Sequence, residues 1–140
     1  MGAAFVQCGK NIMCGFGGFF DSACRSVSDS ESLLRRMGKN ISHRGPDGNG
    51  FWLDPHNGLG LVHQRLAVVE LSSAGAQPMV SSCGRFALVY NGEIYNHMDI
   101  RKQLEIDCGA IHWKGYSDTE TLLAGLRHWG LKKCLSKLNG

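Results

Sequence analysis

The residue with the most chemistry to offer is Cys14, in the run Met13-Cys14-Gly15-Phe16-Gly17-Gly18-Phe19-Phe20. If the working chain starts at Met13 and that methionine is removed, Cys14 becomes the terminal residue. It then carries a nucleophile and a base together, because an α-amine titrates near ~7.7 to 8.0 and can take up a thiol proton. An amide nitrogen cannot do this. The competing reading is structural, since a cysteine in a glycine-rich apolar segment is commonly a small buried hydrophobe.

Further along the chain, Asn91-Gly92 has two explanations. As structure, the pair is a strong two-residue hairpin signal. As chemistry, a turn at a strand end that offers an Asn amide and a Gly N–H in one direction can hold an oxyanion. The residues that follow, Glu93-Ile94-Tyr95-Asn96, leave little strand to pair back. Arg65 is either a solvated surface cation or, flanked by the apolar runs Leu59–Val62 and Leu66–Val69, a fixed fork for a carboxylate. Asp118 favours the N-terminus of the helix that follows. With Ser117 supplying the cap, it is also free to face a ligand ammonium. One anion and one cation together suit an amino-acid substrate. A Cys14/His43 pair of the protease kind has nothing in the sequence to orient the histidine.

These residues need elements to position them. The run Cys14–Phe20 predicts a first strand. A helix is expected over Ser28–Met37, with Ser28 and Glu31 as a capping box, Leu33, Leu34 and Met37 on one face and Gly38 as the stop. After the turn-rich loop His43–Gly48, strands at Phe51–Leu53 and Leu59–His63 flank the turn Asp54–Gly58 as a hairpin. Ser72–Pro78 reads as a loop and Arg85–Tyr90 as a buried strand. Asn96 with Asp99 caps a short helix through Leu104, and a strand is expected near Ala110–Trp113. Ser117 with Glu120 opens a helix that turns Leu122, Leu123, Leu126 and Trp129 inward and ends at Gly130. A last helix sets Leu131, Cys134, Leu135 and Leu138 on one face. Strands interrupted by helices predict an α+β layered domain, and the apolar face of that last helix suggests that the domain continues.

The 140 residues are enough for one domain with its own core. A net charge of +3 announces neither nucleic acid nor a membrane surface as partner. Glycine is the outlier, 19 residues against a usual share of about 7%, which points to tight turns or backbone brought close to a ligand. The 6 cysteines are scattered, without metal-ligand spacing, so no metal site is expected. Their scatter and the absence of a secretory signal suggest reduced thiols in the cytoplasm. No apolar run approaches the ~18 residues of a membrane span, and no phosphate-cradling glycine loop predicts a nucleotide.

Taken together, Met13-Cys14-Gly15, His43 to Gly48, His63-Gln64-Arg65-Leu66, Gly75-Ala76-Gln77-Pro78-Met79, Asn91 to Asn96 and Ser117-Asp118-Thr119-Glu120 resemble, in their order, the class II glutamine amidotransferase domain. The wording is similar to that of the glutamine-hydrolysing asparagine synthetases. The resemblance covers about residues 13 to 140. It implies an N-terminal-nucleophile hydrolase, a four-layer αββα sandwich of antiparallel sheets, here incomplete at the C-terminus. It also implies roles. Cys14 attacks the side-chain amide of glutamine, while Asn91 and the Gly92 N–H hold the oxyanion. Arg65 binds the α-carboxylate, Asp118 with Glu93 takes the α-ammonium, and backbone at Val68 and Val69 lines the pocket. Ammonia then passes to a synthetase domain that amidates aspartate with ATP and magnesium, cofactors not expected in this segment, and a homodimer is implied.

Two departures qualify that expectation. Residues 1–13, read as a propeptide, a tag or a misassigned start, precede Cys14, and residues 14–140 lack the family's remaining strands and its synthetase domain. Two alternatives stay open: a non-catalytic glutamine-binding or interaction module, or an amidotransferase domain that serves a different acceptor.

Overall fold

The glycine and phenylalanine run after Cys14 forms strand β1 (Gly15–Phe20). The hairpin that follows the His43–Gly48 loop forms β2 (Gly48–Asp54) and β3 (Leu59–Arg65). These belong to a computed structural model that describes residues 13–22, 26–67 and 70–140. Two compact units divide the chain, one formed by residues up to Ala67 with Ala76–Pro78, the other by Val68–Gly75 with Met79–Gly140.

In the first unit the sheet order is β1-β3-β2, antiparallel throughout. Side chains alternate across a pleated strand, so the register puts Gly17, Val62 and Phe51 in one row and Phe19, Gly60 and Leu53 in the next, on one face. Helix α1 (Val27–Asn40) covers that face. Its Leu34 is fully buried with Ile41 and Val62, and Phe19, Met37 and Leu53 pack around them. A Cβ on Gly60 would collide with the Phe19 ring, so the strand passes under that ring only as glycine. The other face carries Phe16, Phe20, Leu59, Leu61 and Trp52 in the complementary rows, so the sheet is apolar on both sides.

Helix α1 starts and stops differently from the sequence expectation. Ser26, not Ser28, is the cap: its hydroxyl accepts from the Asp29 N–H at 3.1 Å and donates to the Asp29 carboxylate at 2.7 Å. The serine half of a capping box therefore operates two residues earlier than expected, while the Asp29 carboxylate takes the serine hydroxyl proton. Gly38 does not end the helix. It is buried inside it, where a Cβ would lie 3.1 Å from both the Gln64 amide nitrogen and Val62 Cγ2. Glycine there sets how close α1 comes to β3, and Gln64 Nε2 donates to the Gly38 carbonyl across the contact at 3.1 Å.

In the second unit β4 (Met79–Val80) pairs with β5 (Ala87–Leu88). Only those two residues of the expected Arg85–Tyr90 strand pair, and Ala110–Trp113 forms no strand. The two helices are α2 (His97–Cys108) and α3 (Asp118–Leu135). Gly130, at φ 74° and ψ 172°, breaks α3 at the expected place. The segment beyond it folds back so that Cys134 Sγ occupies the space a Cβ on Gly125 would need, at 2.7 Å. Ile94, Leu122 and Cys134 form the buried cluster, flanked by Leu88, Tyr90, Leu126, Trp129 and Leu138. Of the four-residue face predicted for this segment, Cys134 is buried and Leu138 packs against the cluster, while Leu131 and Leu135 are exposed. Among the described residues no helix is long and apolar enough to cross a membrane.

Gly58 tests the turn between β2 and β3. It sits at φ +64°, a Cβ there would run into the Asp21 carbonyl oxygen, and its own carbonyl accepts the Asp21 N–H at 2.8 Å. Gly58→Ala is expected to lower stability by about 1–3 kcal/mol, read from urea unfolding; an unchanged midpoint would mean that the turn relaxes freely.

Candidate active site

Residues predicted to do chemistry fall into two groups, one in each unit. In the first, Gly15 pairs with Gln64, so Cys14, one residue earlier, comes alongside the end of β3 where Arg65 stands. Its half-buried thiol is bracketed by the main chain of one residue: Sγ donates to the Leu66 carbonyl at 3.4 Å and accepts the Leu66 N–H at 3.2 Å. The thiol is thus held by main chain and not by His43, which is exposed on the single 3-10 turn Ser42–Arg44.

The His43–Gly48 loop has a different task. Asp47 donates its N–H to the Arg65 carbonyl at 3.0 Å, and its carboxylate accepts the Ala67 N–H at 2.8 Å. It therefore clips the strap that carries Arg65 and Leu66. Gly45 must be glycine for the loop to lie this close, since a Cβ would strike the backbone of Gln64 and Arg65. The Arg44 stem packs over Gly15, 3.2 Å from where a Cβ would be. Val68 and Val69, expected to line the pocket, lie outside the described residues.

In the second unit the structure brings Asp118 to the Asn91–Ile94 turn. No strand follows Gly92 before α2, so the hairpin reading of Asn91-Gly92 does not hold. Asp118 is the first residue of α3, and the Ser117 hydroxyl caps the helix by accepting from the Thr119 N–H at 3.1 Å. The Asp118 carboxylate is not wholly free, as the sequence suggested. Oδ2 accepts the Ile94 N–H at 2.9 Å and Oδ1 accepts the Thr119 hydroxyl at 3.4 Å. A carboxylate has about four lone-pair sites, so acceptor capacity remains for a cation. Asn91 is half-buried, while Gly92 and Glu93 are exposed.

The predicted Asn96 cap is also replaced. Its side chain makes no cap bond; Nδ2 donates to the Lys137 carbonyl and Oδ1 accepts the Asn139 N–H, each at 2.9 Å. With the Tyr95 N–H donating to the Asn139 carbonyl at 2.8 Å, this ties the far end of the turn down. Glu120 likewise does not return to its own cap: it accepts the Lys114 N–H at 2.8 Å and the Gly115 N–H at 3.2 Å.

Tyr90 is a neighbour that the sequence did not single out, although it directly precedes Asn91. A Cβ on Gly92 would lie 2.5 Å from the Tyr90 hydroxyl, so glycine lets the turn fold over that ring. Burial pushes the Tyr90 phenol above its ordinary value, and the negative charges of Asp118 and Glu93, with Tyr95, add to it. Asp47 and the Leu66 main chain were missed as well. Among the described residues no group of three or more His, Cys, Asp or Glu is placed to hold a metal ion. The described cysteines, Cys14, Cys83, Cys108 and Cys134, are free thiols.

The first unit thus holds a thiol and an arginine at one strand end, and the second an anionic helix start beside an Asn-Gly turn. The chain belongs to the glutamine amidotransferase domain family, which matches residues 13–140. Among its relatives is asparagine synthetase [glutamine-hydrolyzing] 1 of Bacillus subtilis, 38% identical over 134 residues that cover 91% of this chain and 20% of the relative. The probable asparagine synthetase [glutamine-hydrolyzing] of Schizosaccharomyces pombe is 42% identical over 104 residues, 74% of this chain and 17% of the relative. Amidase chry2 of Gibberella zeae is 32% identical over 136 residues, 91% of this chain and 20% of that protein. The chain thus spans about a fifth of the length of the curated relatives it matches.

Removing the Asp118 charge should ease ionisation of Tyr90, because a nearby anion disfavours phenolate. Asp118→Asn is therefore expected to lower the Tyr90 titration midpoint, followed by ultraviolet phenolate absorbance against a Tyr90→Phe blank. An unmoved midpoint would separate the two side chains electrostatically.

Proposed function

We propose that this chain releases ammonia from glutamine through a cysteinyl thioester, for the amidation of aspartate by a synthetase domain that uses ATP and magnesium. The observation that carries the reading is the Cys14 thiol, held by the Leu66 main chain beside Arg65, at the start of the family match at residue 13. Asn91 and the Gly92 N–H are assigned to the oxyanion, Arg65 to the α-carboxylate, Asp118 with Glu93 to the α-ammonium, and backbone at Val68 and Val69 to the pocket wall.

With Cys14 at the terminus, its α-amine accepts the thiol proton and the thiolate attacks the side-chain carbonyl carbon of glutamine. Charge moves onto the carbonyl oxygen, where preformed donors are worth most. The C–N bond then breaks, and the ammonium delivers its proton to the departing nitrogen as ammonia. Water adds to the glutamyl thioester, and glutamate leaves with the thiol restored. We place this chemistry in a four-layer αββα sandwich of antiparallel sheets. In support, the three-stranded sheet is covered by α1 on one face and apolar on the other.

The test is ammonia release from glutamine by the protein with Cys14 as its first residue. Cys14→Ala is expected to lower the rate about a thousandfold or more, and a chain that keeps residues 1–13 should be equally inactive, because its Cys14 nitrogen is an amide. Turnover at the parent rate by either would overturn the proposal. Arg65→Lys keeps the charge but loses the two-pronged carboxylate contact; KM for glutamine should rise about tenfold with kcat little changed. An equal fall in kcat at constant KM would move Arg65 out of ground-state binding. The second reading differs in the acceptor only, and the relative named an amidase favours keeping it. Ammonia release would be the same in both.

A further inference from the structure

We infer that Arg101 is a positioning residue that sets the Asp118 carboxylate, and with it the preference for a substrate bearing an α-ammonium; this rests on the assignment of Asp118 proposed above. Arg101 lies on α2 and is 6% exposed. Its guanidinium has a partner on nearly every side. Nε donates to Thr121 Oγ1 at 2.8 Å, Nη1 to the Gly115 carbonyl at 2.7 Å, and Nη2 to the Ser117 carbonyl at 2.9 Å and to Glu120 Oε2 at 3.4 Å. The Trp113 ring lies against the guanidinium, 4.1 Å from ring centroid to Cζ.

What the guanidinium holds is the loop that delivers Asp118. Three successive N–H groups of that loop go to carboxylates: Lys114 and Gly115 to Glu120, and Tyr116 to Glu70 at 2.8 Å. The carbonyls of Gly115 and Ser117 go to Arg101. Gly115 has no room for a side chain, since a Cβ would lie 2.6 Å from both Ala74 Cβ and Glu70 Oε2. The next residues are the Ser117 cap and Asp118, whose Oδ2 takes the Ile94 N–H. Arg101 thus fixes the Ser117 carbonyl, the covalent chain carries that constraint into the next residue, Asp118, and the Asp118 carboxylate holds the Ile94 N–H of the Asn91–Ile94 turn. Lysine cannot substitute, because only the planar fork offers donors in fixed directions to separate acceptors.

The test uses the whole chain and two ligands, glutamine and 4-carbamoylbutanoate, which keeps the side-chain amide and the carboxylate but lacks the α-ammonium. In Arg101→Lys the preference for glutamine over the desamino ligand should fall about tenfold, with affinity for the desamino ligand unchanged, and exchange at the Ile94 amide should quicken. Thr121→Val, which removes the Nε acceptor and the hydroxyl's own longer bond to the Ser117 carbonyl at 3.4 Å but leaves the guanidinium in place, should shift both readouts the same way by less, and serves if the lysine variant does not fold. Equal weakening of both ligands, or of neither, reduces Arg101 to a structural residue and overturns the inference. If the unaltered protein itself shows no preference for glutamine, the ammonium assignment of Asp118 has failed and the inference with it. Faster Ile94 exchange would then still report the contact, and unchanged exchange would exclude that as well.

Discussion

A strand hydrogen-bonded on both edges cannot slip, and β3 is that strand in the first unit. A shift of one residue would turn Val62 away from Leu34 and expose the whole apolar row beneath α1. Because β3 is fixed, so is its end, and the Leu66 main chain that brackets the Cys14 thiol is only one residue beyond it. Asp47 then clips the strap from the other side. The Cys14 thiol is therefore held by backbone at the end of a central strand, which is a stiffer support than a side-chain contact from an exposed loop.

The second unit meets the same need by another route. Its sheet is one short pair of strands, and its order comes instead from buried polar groups that satisfy one another. Burial depresses the Arg101 pKa and Glu120 opposes that shift, the balance expected when a cation is withdrawn from water and given acceptors in return. Such a network is worth having only if it is complete, because each unmet donor or acceptor would cost about 1–3 kcal/mol. Here the Gly115 and Ser117 carbonyls are met by Arg101, and the Lys114, Gly115 and Tyr116 N–H groups by Glu120 and Glu70. An irregular loop thereby becomes a fixed lead into α3.

Several sequence signals were correct in chemistry and misplaced in position. The cap of α1 uses a serine and an acid three residues later, as expected, but two residues upstream of the anticipated pair, where helix entry is decided by how α1 lies on the sheet. Gly38 has the composition of a helix stop and serves as a close-packing point against Gln64 and Val62. Asn96 looks like a cap in sequence, yet it reaches residues 137 and 139, a separation that no local pattern reports. The Ala110–Trp113 strand failed for a related reason: no neighbouring strand offers it a ladder. At Gly130, by contrast, a positive φ is a local property, and the break was legible.

Local chemistry is what the sequence by itself determined: a thiol beside a possible chain start, an Asn-Gly turn, a capped helix beginning Asp118-Thr119-Glu120, the β2–β3 hairpin, and an order of motifs belonging to a glutamine amidotransferase domain. Those features depend on neighbouring residues and on spacing, which a linear reading contains. Tertiary structure alone decided that the Leu66 main chain grips the thiol, that Asp118 spends an acceptor on Ile94, that Tyr90 underlies Gly92 and that Arg101 is the hub of the 114–117 loop. Each of these joins residues far apart in the chain through hydrogen bonds whose strength depends on direction and burial, and neither quantity exists until the chain has folded.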